Sequence, residues 1–256
     1  MTSGENKMKK KCAIIVPCYN EAERLDLKEF GSFSAGHPDV TFIFVNDGSS
    51  DNTADILRDF CSNTRCEYLS LERNSGKAEA VRLGMKQALA LDVDYIGFWD
   101  ADLATPLSEL ERMFVAVSND TVFISGCRLL RLGGNIRRSS IRHYIGRVFA
   151  TAVSLHLDLP VYDTQCGAKL YAKECVEALV SGKFVTRWFF DVEILRRMIL
   201  FYGREKVLAN SIELPLLSWV DVAGSKINYF RCLWDFIKLL FIREKKKSIT
   251  NERMNS

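Results

Sequence analysis

Asp100 and Asp102 flank Ala101 directly after an apolar run, Tyr95–Trp99. Two carboxylates two residues apart, on an extended segment that breaks there, can both approach one hard cation such as Mg²⁺ or Mn²⁺. The cation's remaining positions are then left to water and a diphosphate. A helix cap plus a surface acid ahead of Pro106 would use the same residues, so the place at a strand end carries the metal reading more than the spacing does. Asp47 follows a second apolar run, Thr41–Val45, and opens a Gly48-Ser49-Ser50 turn. A carboxylate there can accept from a nucleobase N–H or a ribose hydroxyl, or can simply close an Asx-turn. Asn74-Ser75-Gly76-Lys77 offers backbone N–H groups and a lysine at a helix start, which suits an anion. It lacks the GxxxxGKS/T spacing of a P-loop, and no GxGxxG follows the first strand. His37, His143 and His156 fall outside these clusters, which disfavours a histidine base.

The elements that must position these groups alternate. Strands are predicted at Cys12–Val16 (ended by Pro17), Thr41–Val45, Glu67–Leu71, Tyr95–Trp99 and Val122–Ser125. Between them lie helices over 21–33, Thr53–Cys61 (capped by Ser50 or Asp51), Lys77–Leu91 and Leu107–Val117. That order predicts a parallel, doubly wound sheet with right-handed crossovers, whose ligands bind outside the carboxyl ends of the strands. Tyr19-Asn20-Glu21, Asn46–Ser49 and Asp100–Asp102 all fall at such ends. The second half is less regular: a long helix over about 136–156, a strand-like piece over 163–171, a helix over 188–202 and an amphipathic C-terminal stretch.

At 256 residues, 48% hydrophobic and 26% charged, the chain can bury a sizeable core and is neither disordered nor a coiled coil. A net charge of +3 is too balanced to point to nucleic acid, and none is expected as a partner. Six arginines and no acid lie between Arg128 and Arg147, which suits phosphate or an acidic membrane surface, or a solvated helix face. The eight cysteines form no CxxC and have no zinc-spaced histidine, so a reduced, cytoplasmic compartment is expected. No signal-peptide core follows the basic first 11 residues, and no run approaches the roughly 20 apolar residues of a membrane span. Ile227, Phe230, Trp234, Ile237 and Phe241 share one helix face, and Arg243, Lys245, Lys246 and Lys247 follow. Such a helix suits the interface of an anionic bilayer; packing on the sheet, or against a second copy in a homo-oligomer, would use the same stripe.

Val16-Pro17-Cys18-Tyr19-Asn20-Glu21, the segment Asn46–Thr53 and Asp100-Ala101-Asp102 resemble three signature segments of family 2 inverting glycosyltransferases. Asp163–Tyr171, Arg187–Glu193 and Gly224-Ser225-Lys226 are similar to the dolichyl-phosphate β-glucosyltransferases within that family. The resemblance spans roughly 12–228. It departs at Asn46-Asp47, where many members have two aspartates, and in the membrane helix that such relatives usually carry. It implies the α/β GT-A fold: a Rossmann-like, mostly parallel sheet flanked by helices, with a C-terminal amphipathic helix. The expected organisation is a catalytic domain over 12–215, an extension over 216–247 and flexible tails at 1–11 and 248–256.

Residue by residue, the resemblance implies that Pro17, Tyr19, Glu21 and Asp47 line the uridine pocket. Lys77 and Asp100 would meet the donor diphosphate, and Asp100 with Asp102 would hold Mg²⁺ or Mn²⁺. Asp163, Gln165, Trp188 and Asp191 would line the sugar and acceptor side. The basic stripe, independently of the resemblance, offers Arg128, Arg131, Arg137 and Arg138 to an acceptor phosphate. The implied reaction moves a hexose with inversion, glucose before galactose, from a UDP-sugar to a polyprenyl phosphate. The enzyme would lie peripherally on the cytoplasmic membrane face. A phosphate ester with its second pKa at about 6 is already largely ionised and needs no base. A hydroxyl acceptor, as in polysaccharide or glycolipid synthesis for the cell envelope, would need Asp191 or Asp163 to take its proton. A sugar-1-phosphate nucleotidyltransferase would want a Gly-rich first loop, which Val16–Asn20 is not, and a non-catalytic nucleotide-sugar sensor would not need both Asp100 and Asp102.

Overall fold

The computed structural model describes residues 10–137, 140–187 and 189–221. Seven strands form the central sheet in the order β3-β2-β1-β4-β7-β5-β8. These are β1 (Cys12–Cys18), β2 (Val40–Asn46), β3 (Glu67–Ser70), β4 (Tyr95–Trp99), β5 (Phe123–Cys127), β7 (Ala168–Ala172) and β8 (Ser211–Pro215). Two short strands, β6 (Asn135–Arg137) and β9 (Ser218–Val220), pair in parallel as a separate ribbon. All pairings in the large sheet are parallel except those of β7, which runs antiparallel between β4 and β5. The mostly parallel sheet expected from the alternation is therefore present.

The inner strands β1, β2, β4, β5 and β7 are buried on both faces, as strands under helices must be, while the edge strands β3 and β8 are only partly buried. Along β1, Cys12, Ile14, Val16 and Cys18 pack with Phe30 of α1 (Leu27–Gly36), Leu57 of α2 (Thr53–Ser62) and Met113 of α4 (Ser108–Ala116). Ala13 and Ile15 face the other layer, with Val81 and Met85 of α3 (Lys77–Ala88), Cys175 of α6 (Lys173–Leu179) and Leu195 of α7 (Phe190–Tyr202). The remaining helices are α5 (Ser140–Leu157), which places Val153 in this second layer, and α8 (Arg204–Asn210). Each fully buried Phe, Leu or Ile contributes about 1.5–3 kcal/mol. Gly97 is what admits β7: a β-carbon there would stand 1.9 Å from the Lys169 carbonyl oxygen.

Three local expectations are corrected. Pro17 does not end β1. The Cys18 carbonyl accepts from Asp47 N–H on the β2 side (2.8 Å), so Pro17 turns its backbone toward β4, where pairing has already stopped at Ile15–Phe98. Its missing N–H leaves no ladder bond unmade. The first helix starts at Leu27 rather than 21, because the Asp26 carboxylate caps it by accepting from Glu29 N–H (3.0 Å), while Glu21 closes a turn with Arg24 and Leu25. The long helix expected over about 136–156 begins later, at Ser140, because Asn135–Arg137 is strand β6. Residues 216–221 pack onto this body, with Leu216 fully buried and Val220 N–H on the Ala104 carbonyl (3.0 Å). The amphipathic stripe at 227–241 lies outside the described residues.

Candidate active site

The ends of β1 and β2 are tied together by polar contacts. Asn20 adopts a left-handed backbone (φ 53°). Its N–H donates to Ser49 Oγ (3.0 Å) and its Oδ1 accepts from Ser50 N–H (2.8 Å). Glu21 N–H donates to Thr53 Oγ1 (2.9 Å), and its half-buried carboxylate, raised by burial, pairs with Arg24 at 2.8 Å. Tyr19 stands 45% exposed at the same mouth, beside Pro17. Asp47 is buried, and its two oxygens accept from Ser75 N–H (2.7 Å) and Gly76 N–H (2.8 Å). Burial raises its carboxyl and these two donors offset part of the rise. Asp47 thereby fixes the Asn74–Lys77 turn at the start of α3.

Lys77 crosses from that turn to form an ion pair with Asp100 at the end of β4. Asp100 N–H donates to the Gly167 carbonyl (3.0 Å), and Trp99 Nε1 holds the following loop through the Thr105 carbonyl (2.7 Å). Burial pushes the Asp100 carboxyl up, but the Lys77 ammonium, with Arg128 and Lys169 further off, outweighs it and lowers it overall. Asp102 accepts from Ala104 N–H (3.1 Å) and is raised, first by burial and then by the Asp100 charge. No group of three His, Cys, Asp or Glu converges on a metal position among the described residues. Two carboxylates that repel one another, one of them already holding an ammonium, fit a Mg²⁺ or Mn²⁺ ion that completes its shell with diphosphate oxygens and water.

On the other side of Asp100 the charges are paired. Arg128, just past β5, makes a two-point contact with Asp163 (Nε–Oδ2 2.7 Å, Nη2–Oδ1 2.8 Å), and its own N–H adds a third bond (3.1 Å). Gln165 N–H donates to Asp163 Oδ1 (3.1 Å), and Glu213 accepts from the N–H groups of Tyr162 and Asp163 (both 2.7 Å). Lys169, almost wholly buried in β7, meets Asp191 Oδ1 at 2.8 Å and donates to the Thr164 and Cys166 carbonyls. Burial raises the Asp191 carboxyl against the opposing pull of Lys169 and Lys77.

Asp47, Lys77, Asp100, Asp102, Asp163, Gln165 and Asp191 thus share one sheet edge. Arg128 is spent on Asp163 rather than left free for a phosphate. Arg131 and Arg137 are exposed, and no described contact joins either to Asp100 or Asp191. Trp188 and Arg138 lie outside the described residues. Lys169 and Gly167 were not singled out from sequence; a lone lysine inside the apolar run Ala168–Ala172 was the available signal.

The family model described as "Glycosyl transferase family 2" matches residues 13–180. The dolichyl-phosphate beta-glucosyltransferase of Drosophila melanogaster is 31% identical over 249 residues, covering 89% of this chain and 71% of that protein. The protein of that name from Homo sapiens is 28% identical over 260 residues, with coverages of 91% and 75%. The one from Saccharomyces cerevisiae is 29% identical over 238 residues, with coverages of 84% and 68%. Among solved structures, glucosyl-3-phosphoglycerate synthase from Mycobacterium tuberculosis in complex with uridine-diphosphate has a TM-score of 0.63 at 16% identity, covering 92% of this chain and 82% of that chain. The same enzyme in complex with Mn²⁺, UDP-glucose and glycerol 3-phosphate gives 0.58 at 15% identity, covering 90% and 77%. These two likenesses are of fold. The family match runs from β1 through the strands that carry Asp47, Asp100 and Lys169, and with it the chain belongs to glycosyl transferase family 2.

Proposed function

We propose that this glycosyltransferase moves a hexose, glucose first, from a UDP-sugar to a polyprenyl phosphate such as dolichyl phosphate, inverting the anomeric carbon. The names of the relatives and the substrates of the fold neighbours support donor and acceptor. The observation that carries the acceptor class is that both carboxylates expected to serve as bases are held by cations, Asp163 by Arg128 and Asp191 by Lys169. An ionised phosphate needs neither. Its oxygen attacks the anomeric carbon from the face opposite UDP, the bond to the donor's β-phosphate oxygen breaks, and the electron pair leaves with the diphosphate. In this reading Lys77 meets that charge, Asp47 and Tyr19 hold the nucleoside, and Asp100 with Asp102 would bind the divalent ion. When bound, Mg²⁺ or Mn²⁺ supplies Lewis-acid neutralisation of the leaving diphosphate. The raised Asp191 carboxyl favours a second reading, a hydroxyl acceptor with Asp191 as base.

A screen of nucleotide sugars against polyprenyl phosphate and hydroxyl acceptors decides between them. Turnover of UDP-glucose that depends on polyprenyl phosphate is expected; turnover with hydroxyl acceptors alone would overturn the first reading. Asp47→Ala should weaken UDP binding by about 1.5–3 kcal/mol, the range for hydrogen bonds to a charged group. Calorimetry is the check, and unchanged affinity removes Asp47 from the nucleoside pocket.

A lipid acceptor places the enzyme at a membrane surface. No described helix is long and apolar enough to cross a membrane. The stripe from Ile227 to Phe241 and the basic residues after it are the proposed contact, at about 1 kcal/mol per Lys or Arg near an anionic surface. The chain should float with anionic liposomes at low salt and stay down at high salt or when truncated after Ser225. Absence from both anionic and neutral vesicles would count against the membrane contact.

A further inference from the structure

Glu193 lies on the buried side of α7, 1% exposed, and forms no salt bridge among the described residues. Its carboxylate is satisfied by one short stretch of chain: Oε2 accepts from Val185 N–H (2.9 Å), and Oε1 from Thr186 N–H (2.7 Å) and Thr186 Oγ1–H (2.6 Å). A buried carboxylate without a cation is expensive unless hydrogen-bonded. Three donors from two consecutive residues make it tolerable and at the same time clamp those residues to the helix. The next residue is Arg187. Its Nε lies 3.6 Å from the position a β-carbon on Gly76 would take, so the guanidinium rests against the turn that leads into Lys77 and binds Asp47. The same guanidinium draws the Asp47 carboxyl downward, behind the Ser75 and Gly76 donors.

We infer that Glu193 is a positioning residue that holds Arg187 over the Asn74–Lys77 turn, where Arg187 adds a cation to the site of the donor nucleotide. The inference rests on the proposed reading of that turn as the donor side. α7 then serves both substrates: Asp191 near its start faces the acceptor side, and Glu193 two residues on aims a donor-side cation from the loop that precedes the helix. Glutamine is nearly the same size as glutamate, but its amide NH₂ would face a backbone N–H at one of the two oxygens, so Glu193→Gln should release the 185–187 segment without opening a cavity.

The test is UDP binding in Mn²⁺, measured by calorimetry on the full chain, for wild type, E193Q, R187A and the double variant. The expected result is a loss of about tenfold or more for each single variant, as for one lost hydrogen bond to a charged group, with the double variant no weaker than R187A. Non-additivity of that kind is the mark of two residues acting through one contact. E193Q binding as wild type does, or losses that simply add, would overturn the inference; so would a lowered unfolding midpoint in E193Q with unchanged UDP affinity, the signature of a purely structural carboxylate. Arg187 is exposed, so R187A folds whatever E193Q does, and unchanged affinity in R187A alone is also fatal to it. Wild-type protein that binds no UDP at all would instead remove the donor reading itself.

Discussion

Gly167→Ala is expected to remove most of the turnover while the sheet stays intact. A β-carbon on Gly167 would stand 1.8 Å from Asp100 Oδ2 and 2.1 Å from Asp100 Cγ. The Asp100 side chain is the part that can move, so it swings aside, breaks its pair with Lys77 and no longer faces the same point as Asp102. Cys166 and Ala168 on either side are fully buried and keep the strand seated. Removing one group that stabilises charge in the transition state costs about 10²–10³ in rate, and that is the loss expected here. Asp100→Asn should match it by discarding the charge instead of displacing it. The checks are kcat in saturating Mn²⁺, direct titration of Mn²⁺ with UDP present, and a thermal midpoint to confirm folding. Wild-type rates in both variants would take Asp100 out of the mechanism.

Asp163→Asn should instead be felt in stability. The Arg128 side chain is 13% exposed and the Asp163 side chain 9%. Removing one partner strands a buried guanidinium, for which about 3–5 kcal/mol is the usual loss. Urea unfolding at neutral pH measures it. The sign with pH follows from the Asp163 carboxyl, which is buried yet held far below the ordinary range by Arg128. Its contribution is fully present above the unfolded-state value of about 3.9 and is lost as pH falls toward and through the lower folded value. The gap between wild type and Asp163→Asn should therefore be constant above about pH 5 and shrink below about pH 4. A gap that widens in acid would contradict the ion pair.

Much of the candidate site's placement was legible because its parts are local. Asp47, Lys77 and Asp100 each follow an apolar strand or open a helix, and the alternation of those elements brings their ends to one edge. The partners of Asp163 and Asp191 were not legible. Arg128 meets Asp163 across 35 positions of chain, and nothing in the spacing of either residue encodes the other. Arg128 therefore read as one of a row of basic residues, whereas in the fold it is the counter-ion of a buried acid. Lys169 was hidden for the converse reason: it is a charge in a strand that periodicity treats as apolar, tolerable there because Asp191 and two carbonyls surround its ammonium. Pro17 read as a stop because a proline removes a donor, and only the pairing on both sides of β1 reveals that the donor was not needed.

The reversed strand β7 has a consequence for how the chain comes off the ribosome. The set β3-β2-β1-β4 can assemble once Trp99 has emerged, but the far edge of β4 waits for Ala168–Ala172, some 70 residues later. At about 5–20 residues per second, that edge stays open for roughly 4–14 s, and β5, made later, has no partner in the sheet for the last roughly 2–9 s of it. An unpaired edge is a template for another chain. The nascent chain therefore carries an extra unpaired edge that the finished sheet covers, and the interval before β7 arrives is when a chaperone would have most to do.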